Sequence, residues 1–596
     1  MSLIVFLNEY SFHEKLFKIY YTPLKIYKMR PMPKLLICSL LICLAITSDA
    51  QSFSWANGVL CNKTHLINTS LLGIATDNHH NIIAAGTFAD SCTIGASVFK
   101  SKDYSDGYVV KYDSGGNALW TKQIAGSAGA YSAVSINSTA TDINDNVFIL
   151  GNFKSNVVYF TTTDSLVNSV SSTFYSTYFL AKYNSSGNFL WAKTAYQGTH
   201  GSPLTAYSVI TDGSGNAIIC GTFGDTLAIS GGVTLTAANG FYFHAFIAKF
   251  DPTGNILWAK KGIAAHSCIF NSVATDALDN IYATGYSDST TTIDTGTINS
   301  LSGSKILTVK FDKNGNYQWG RLNPSHMTLQ NLTDAGNSIA VDRSGNSFVC
   351  GTILDTTILG HSSSLSGIVL KYNNNGILQW QQLISPGEYG NKSYTACNGV
   401  SLDVNGNPYV VGDYDTAFTI GTTLLPNPDS AAGVFVTKLD RNTGNPLWAL
   451  SGAGTHHAYS KNITVDENGG GVAVIGYFYI STSFGGNSII TTTNAAYNSQ
   501  YITHIANLVL DVPVIATNNN WLLYPNPAKN NINISFTNSV YHRVVLSNEM
   551  GKVLETTETT NDMLQMDINT LPNGIYFITV CDNQKNIETR KFIKLQ

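Results

Sequence analysis

Histidine is the side chain best suited to hold a metal or move a proton near neutral pH. His65, His200, His266, His326 and the pair His456–His457 each lie seven to ten residues past a tryptophan: Trp55, Trp191, Trp258, Trp319 and Trp448. Recurrence at one register puts them on equivalent loops. Loops on one face could offer neutral ring nitrogens to a common centre. Zinc needs ligands at roughly 2.0–2.1 Å, so the loops would have to fold inward over a shared axis. "GAGTHHAYS" and "YQGTHGS" carry glycines that would permit it. Loops on separate repeats stand apart by default. The expectation is a polar binding face formed by these histidine loops, with no metal and no cofactor.

Lys111, Lys182, Lys249, Lys310, Lys371 and Lys438 also recur, with Asn507 at the seventh position. A set this regular is not one active site. Their stems are expected to lie on neighbouring repeats, with the ammonium in solvent or on a carboxylate. Asp77, Asp142, Asp212, Asp276, Asp342, Asp403 and Asp466 head the turns D-x-x-G-N or a variant of it. Asp there caps its own turn, and Gly takes the left-handed position. The stretch is too short for an EF-hand loop, which needs a Glu at position twelve. Cys220 and Cys350 share one register with Ala85, Leu150, Thr284, Val411 and Ile475, a small core slot. Two of the nine cysteines, Cys38 and Cys43, precede the expected cleavage site, and the remaining odd, scattered set is not a disulfide framework. There is no G-x-S-x-G, H-E-x-x-H, P-loop or C-x-x-C. No catalytic residue is assigned.

The elements that carry these residues repeat. Successive landmark aspartates are 65, 70, 64, 66, 61 and 63 residues apart. Each unit reads as four strands. The first ends at the Asp, the second at a Gly such as Gly285, Gly351 or Gly412, the third is the "AKYD" run, and the fourth carries the Trp. Turns of the same type join the first pair and the second pair. Such units predict a β-propeller. The segment between the second and third strands is long, and an extra hairpin or protruding loop is expected there. "FSWANG" near Trp55 is a fourth strand with no first three before it, and "HIANLVLD" is a third strand with no fourth after it. A ring left open would expose sheet edges. Trp55 completing the last blade, beside Ile505, makes seven blades.

The units resemble secreted bacterial β-propeller repeats of the pattern "D-x-x-G-N-x-Y-V-x-G … F-V-A-K-Y-D … G-N-x-L-W-A-K", over about residues 52–510. After them, Tyr524-Pro525-Asn526-Pro527, Leu571-Pro572-Asn573-Gly574-Ile575-Tyr576 and Lys591-Phe592 are similar to the C-terminal sorting domain of Bacteroidetes type IX secretion cargo. That resemblance implies passage across the outer membrane, removal of the tail, and either surface attachment or release. It implies no chemistry for the propeller.

The expected organisation is an upstream extension and signal peptide (1–50), a seven-bladed propeller (51–511), a linker (512–521) and a small β-sandwich (522–596). Lys28, Arg30 and Lys34 precede the apolar run Leu35–Ile46, and Ser48-Asp49-Ala50 offers a cleavage site. Met29 or Met32 is the expected start. Charged residues make up 12% of the 596 residues, the formal net charge is −4 and no basic run exists, which argues against nucleic acid or another polyanion. The predicted function is a non-enzymatic secreted or surface binding protein, monomeric, with the type IX secretion machinery as one partner and a glycan or protein as ligand. The alternative is a secreted enzyme acting on polysaccharide from one propeller face.

Overall fold

The computed structural model describes residues 52–595 apart from 63–69, 103, 130–131, 169–175, 198–203, 238–241, 301–302, 324–333, 355–364, 386–393, 427–431, 454–456, 467–470, 486, 491–497, 507–520, 526–527, 537–541, 549–551 and 583–586. Every regular element in them is a strand. The expected signal peptide, linker residues 512–520 and Asn507 lie outside the described residues, whereas Trp521, expected in the linker, opens the first tail strand and is buried in its core.

Seven antiparallel sheets follow the predicted units. Blade 3 is representative. Its strands are Thr205–Thr211, Ala217–Phe223, His244–Phe250 and Ile256–Ala264, paired in that order. Blade 7 is built from both ends of the ring. Strands Ala458–Asp466, Gly471–Tyr479 and Asn498–Ala506 are completed by Ser52–Asn62. Phe53 lies opposite Ile505 and Trp55 opposite His504. Val59, Cys61 and Ile502 of blade 7 then share one core with Leu71, Ile82 and Val110 of blade 1, which closes the ring.

First strands pack around the axis. Thr141 Oγ1 donates to Thr76 O at 2.6 Å, and Thr211 Oγ1 to Thr141 O at 2.6 Å, each reaching back one blade. Each first strand carries one bulged residue, among them Asn137, Tyr207, Asn271, Asn337, Asn398 and Lys461. The bulge explains the glycine that ends each second strand. A Cβ on Gly221, Gly285, Gly412 or Gly476 would lie 2.1, 2.0, 2.0 or 1.9 Å from a first-strand carbonyl oxygen. No side chain fits there.

Among the described residues, six of the long connections between second and third strands form hairpins, and five of these are donated backwards. Thr226–Ile229 and Val233–Thr236 of unit 3 pair onto the fourth strand of blade 2, and Thr291–Ile293 with Gly296–Ile298 onto that of blade 3. Ser91–Ile94 and Ser97–Lys100 reach back across the seam to Ser52–Asn62. A fourth strand is the outer edge of its blade, and an added hairpin covers unpaired backbone that would otherwise invite aggregation.

The tail forms two facing sheets. Trp521–Tyr524, Asn531–Phe536 and Met563–Asp567 make one, and His542–Asn548, Val553–Thr559, Gly574–Asp582 and Ile587–Lys594 the other. Trp521, Ile532 and Ile534 from the first share a core with Val544, Leu546, Ile578 and Phe592 from the second.

Candidate binding site at the channel mouth

The recurrent charged residues form structural pairs, and they do so inside the protein. Lys111 Nζ lies 2.6 Å from Asp77 Oδ2, Lys182 Nζ 2.9 Å from Asp142, Lys249 Nζ 2.7 Å from Asp212 and Lys438 Nζ 2.9 Å from Asp403. Lys111, Lys182 and Lys249 are buried, not solvated at their tips. Burial alone would raise Asp142, but the Asn146 amide and the Lys182 ammonium outweigh it, so its carboxyl is held below the usual range. The lysines also reach the following blade. Lys182 Nζ and Trp191 Nε1 both donate to Pro252 O, at 3.3 and 3.1 Å, and Lys371 and Trp380 both donate to Arg441 O, at 2.7 and 3.1 Å. Six of the repeat Trp rings, all but Trp448, lie over a turn glycine of the next blade, as Trp191 does over Gly254 (φ +85°). One carbonyl thus receives an indole and an ammonium, and a landmark aspartate neutralises the latter. This is an inter-blade clamp, not a reaction centre.

A second acidic group sits on the same turn face. Asp77, His79 and Asp145 place one ligand-type atom each within 4.8 Å of one another. Their valences are taken. Asp77 holds Lys111, Asp145 Oδ1 accepts from Asn78 N at 2.9 Å, and His79 Nδ1 lies 2.7 Å from Asp145 Oδ2. His80 Nδ1 is 2.5 Å from Asp466 Oδ2 across the seam. Asp145 (φ +60°), His80 (φ +62°) and Asp279 (φ +62°) occupy the turn position where blades 3, 5 and 6 carry Gly215, Gly345 and Gly406. A shallow pocket of about 100 Å³ between blades 5 and 6, lined by Asp342, Arg343, Asp403 and Arg441, has room for only a few waters.

Among the expected histidines, His65, His200, His326 and His456 lie outside the described residues. His266 is exposed and packs edge-on to Tyr242 at 5.2 Å. His457 is exposed, and its Nδ1 accepts from Ala432 N at 3.0 Å, which leaves the proton on Nε2. His457 leads to a cluster that the repeat pattern did not flag.

That cluster lies on blades 6 and 7, at the ends of first and second strands away from the Asp turns. His457 stacks on Tyr459 at 5.9 Å, Tyr459 lies tilted against Tyr477 at 5.1 Å, and Tyr477 meets Tyr479 edge-on at 6.2 Å. The Lys461 ammonium lies over the Tyr477 ring at 5.3 Å. Lys461 is the bulged residue of its strand, and Tyr477 directly follows the Gly476 that accommodates the bulge. Tyr394 precedes the first strand of blade 6. Its phenol is pushed up by burial and by Asp413, Tyr459 and Tyr477 nearby. Tyr394, Tyr459, Tyr477, Tyr479 and Lys461 all keep partial exposure. First strands surround the axis, so these groups line one sector of the channel mouth.

Beneath them is Asp413, 3% exposed. Its Oδ1 accepts from Ser460 N at 2.6 Å and from Ser460 Oγ at 2.7 Å, and its Oδ2 accepts from Asn398 Nδ2 at 2.8 Å. Burial pushes its carboxyl up to about 6, against the pull of Ser460, Lys461 and Asn398. Blade 2 has Asn152 in the corresponding place, bonded to the bulged Asn137. Asp413 is enclosed and fully bonded, so it fixes the floor of the site and does not face a substrate.

In the tail, Tyr524 is exposed and followed by a cis bond to Pro525; Asn526 and Pro527 lie outside the described residues. Gly574, Ile575 and Tyr576 open a strand paired with Ile587–Lys594, and the Tyr576 hydroxyl donates to Pro572 O at 2.9 Å.

Residues 522–595 match the secretion system C-terminal sorting domain. A WD repeat-containing protein of Acanthamoeba polyphaga mimivirus is 25% identical over 508 residues, 68% of this chain and 35% of the relative. The chain therefore spans about a third of that relative's length. Among solved structures, YCF48 bound to D1 peptide is similar at 7% identity and a TM-score of 0.34, covering 75% of this chain and 97% of that one. PorZ, a surface component of the type IX secretion system of Porphyromonas gingivalis, is similar at 10% identity and a TM-score of 0.14, covering 91% and 100%. A leech intramolecular trans-sialidase is similar at 10% and 0.30, covering 74% and 68%. The chain is a β-propeller protein with a type IX secretion sorting domain at its C-terminus, exported to the cell surface or released.

Proposed function

We propose that this protein is a non-enzymatic binding protein that takes a glycan at the channel mouth of blades 6 and 7. The observation that carries the reading is the row of adjoining rings His457, Tyr459, Tyr477 and Tyr479, partly exposed and bordered by Lys461. Aromatic faces with polar edges suit the alternating apolar and hydroxyl faces of sugars. The rings are held by neighbouring strands, so little entropy is lost on binding. Export by the type IX route places that face outside the cell, in contact with the secretion machinery only during passage. The organisation 51–511, 512–521 and 522–596 fits this division between a presenting ring and a sorting tail. Polysaccharide cleavage is the less favoured reading, because of the two acids beside the rings Asp413 is enclosed and Asp415 is held by Tyr394 N at 2.7 Å. Glycan-array binding with the purified protein tests the proposal. Saturable binding that falls at least about tenfold (1.4 kcal/mol) in Tyr459→Ala or Tyr477→Ala supports it. Binding unchanged by both substitutions, or turnover of a bound glycan, contradicts it.

A further inference from the structure

Cys61 and Cys92 lie directly opposite each other in an antiparallel pair, between Leu60 opposite Thr93 and Asn62 opposite Ser91. Opposite residues in such a pair point to the same face, with Cβ atoms about 4.5–5.5 Å apart. A disulfide needs about 3.5–4.5 Å, so a small inward shift suffices. Both side chains are buried in the core between blades 7 and 1. The two strands matter. Cys61 ends the N-terminal strand that completes blade 7, and Cys92 begins the hairpin that unit 1 donates back to it. The other cysteines on described strands, Cys220, Cys268, Cys350 and Cys397 in blades 3 to 6 and Cys581 in the tail, have no cysteine opposite them in a strand pair.

We propose that in the exported protein Cys61 and Cys92 are joined by a disulfide that fastens the closing strand to blade 1. The export route carries the chain out of the reducing cytoplasm, into compartments where such bonds persist. One thiolate attacks the sulfur of a disulfide-carrying oxidant, either a protein oxidase or a small-molecule disulfide. The second thiolate displaces it from the mixed disulfide. One S–S bond forms, the two thiols lose two protons and two electrons, and the oxidant leaves as the dithiol of the oxidase or as two thiols of the small-molecule disulfide. Burial and the neighbouring Cys61 push the Cys92 thiol up, so the folded dithiol is slow to react. Oxidation therefore precedes the locking of blade 7 onto blade 1.

Peptide mapping of the full exported protein, unfolded in alkylating agent without reductant, tests the bond. The expected result is one linked pair of peptides containing Cys61 and Cys92, two hydrogens lighter than the sum of its parts, with neither sulfur alkylated. The same chain made without export in a reducing cytoplasm should carry alkyl groups on both. In exported Cys61→Ser protein, Cys92 should become alkylated while the labelling of Cys220, Cys268, Cys350 and Cys397 stays as in wild type. Alkylation of both Cys61 and Cys92 in the exported wild type, or linkage of either to another cysteine, overturns the proposal.

Discussion

Trp55 and His504, about 450 residues apart in sequence, lie opposite each other in one sheet with rings stacked at 5.5 Å and 11°. The Trp55 Nε1 donates onward to Ser114 O of blade 1 at 3.0 Å. The first described strand is therefore both the last strand of blade 7 and a link in the tryptophan series. Deleting residues 51–60 should uncover the backbone of Asn498–Ala506 and part of the shared core. The expected fall in melting temperature is far larger than for deletion of an exposed loop of equal length. Equal falls would contradict ring closure by this strand.

The buried ion pairs should behave as clamps. Lys182→Met leaves the Asp142 carboxylate buried without its ammonium and should cost about 3–5 kcal/mol. Adding Asp142→Asn should recover much of that loss. The sign with pH follows from the lowered Asp142 pKa: its contribution is present above the ordinary value of 3.8 and lost as pH falls through the lower folded value. Wild type should therefore lose stability below about pH 4, and the double variant should lose less there. Thermal melts from pH 2 to 7 check both points.

Asp413 should act in the opposite sense. Its folded pKa of about 6 lies above the ordinary value of 3.8, so the fold favours the protonated acid. Its stabilising effect is full below about pH 4 and declines as pH rises through about 6. Asp413→Asn recreates the amide pair of Asn137 and Asn152 in blade 2. At pH 8 the variant should be more stable than wild type by on the order of 2 kcal/mol, with the gap closing below pH 4. A pH-independent difference would contradict the assignment.

Two glycines separate backbone strain from ring contact. Gly254 (φ +85°) would place a Cβ about 3 Å from the Trp191 ring, whereas Gly232 (φ +95°) has nothing within 4 Å. Gly232→Ala should cost about 1–2 kcal/mol from the left-handed backbone alone. Gly254→Ala should cost about 1–3 kcal/mol more, because the indole must move. Denaturant midpoints of the two variants give the comparison.

The architecture was readable because its determinants recur. Asp212, Gly215 and Asn216 cap one another within five residues, so the turn is written locally: Asn216 N donates to Asp212 Oδ1 at 2.9 Å, with Gly215 at φ +75°. The shortage of strands at the two ends then placed Trp55. The role of Lys182 was only half visible. Its carboxylate partner stands in another strand and its carbonyl partner in another blade, although Asp and Lys recurring with one period was a usable signal. The hairpins were foreseen as insertions, but the blade receiving them depends on which sheet edge lies open. The tyrosine sector escaped because it is made of departures from the repeat. After its glycine, blade 7 has Tyr477, as blade 4 has Tyr286, and blade 6 has Asp413, where blades 1, 2, 3 and 5 have Thr87, Asn152, Thr222 and Thr352. Asking which residues break the pattern, instead of which keep it, would have found them. The histidines kept a register, and of the two described, only His457 joins the cluster.

The most direct test of the binding account is amide hydrogen exchange on the full protein, with and without a glycan selected from the array. The account predicts added protection at residues 457–461 and 476–479 and around Tyr394–Asn398, with none on the Asp turns at the opposite face. Protection confined to those turns or to the tail sheets, or none at saturating glycan, would contradict it.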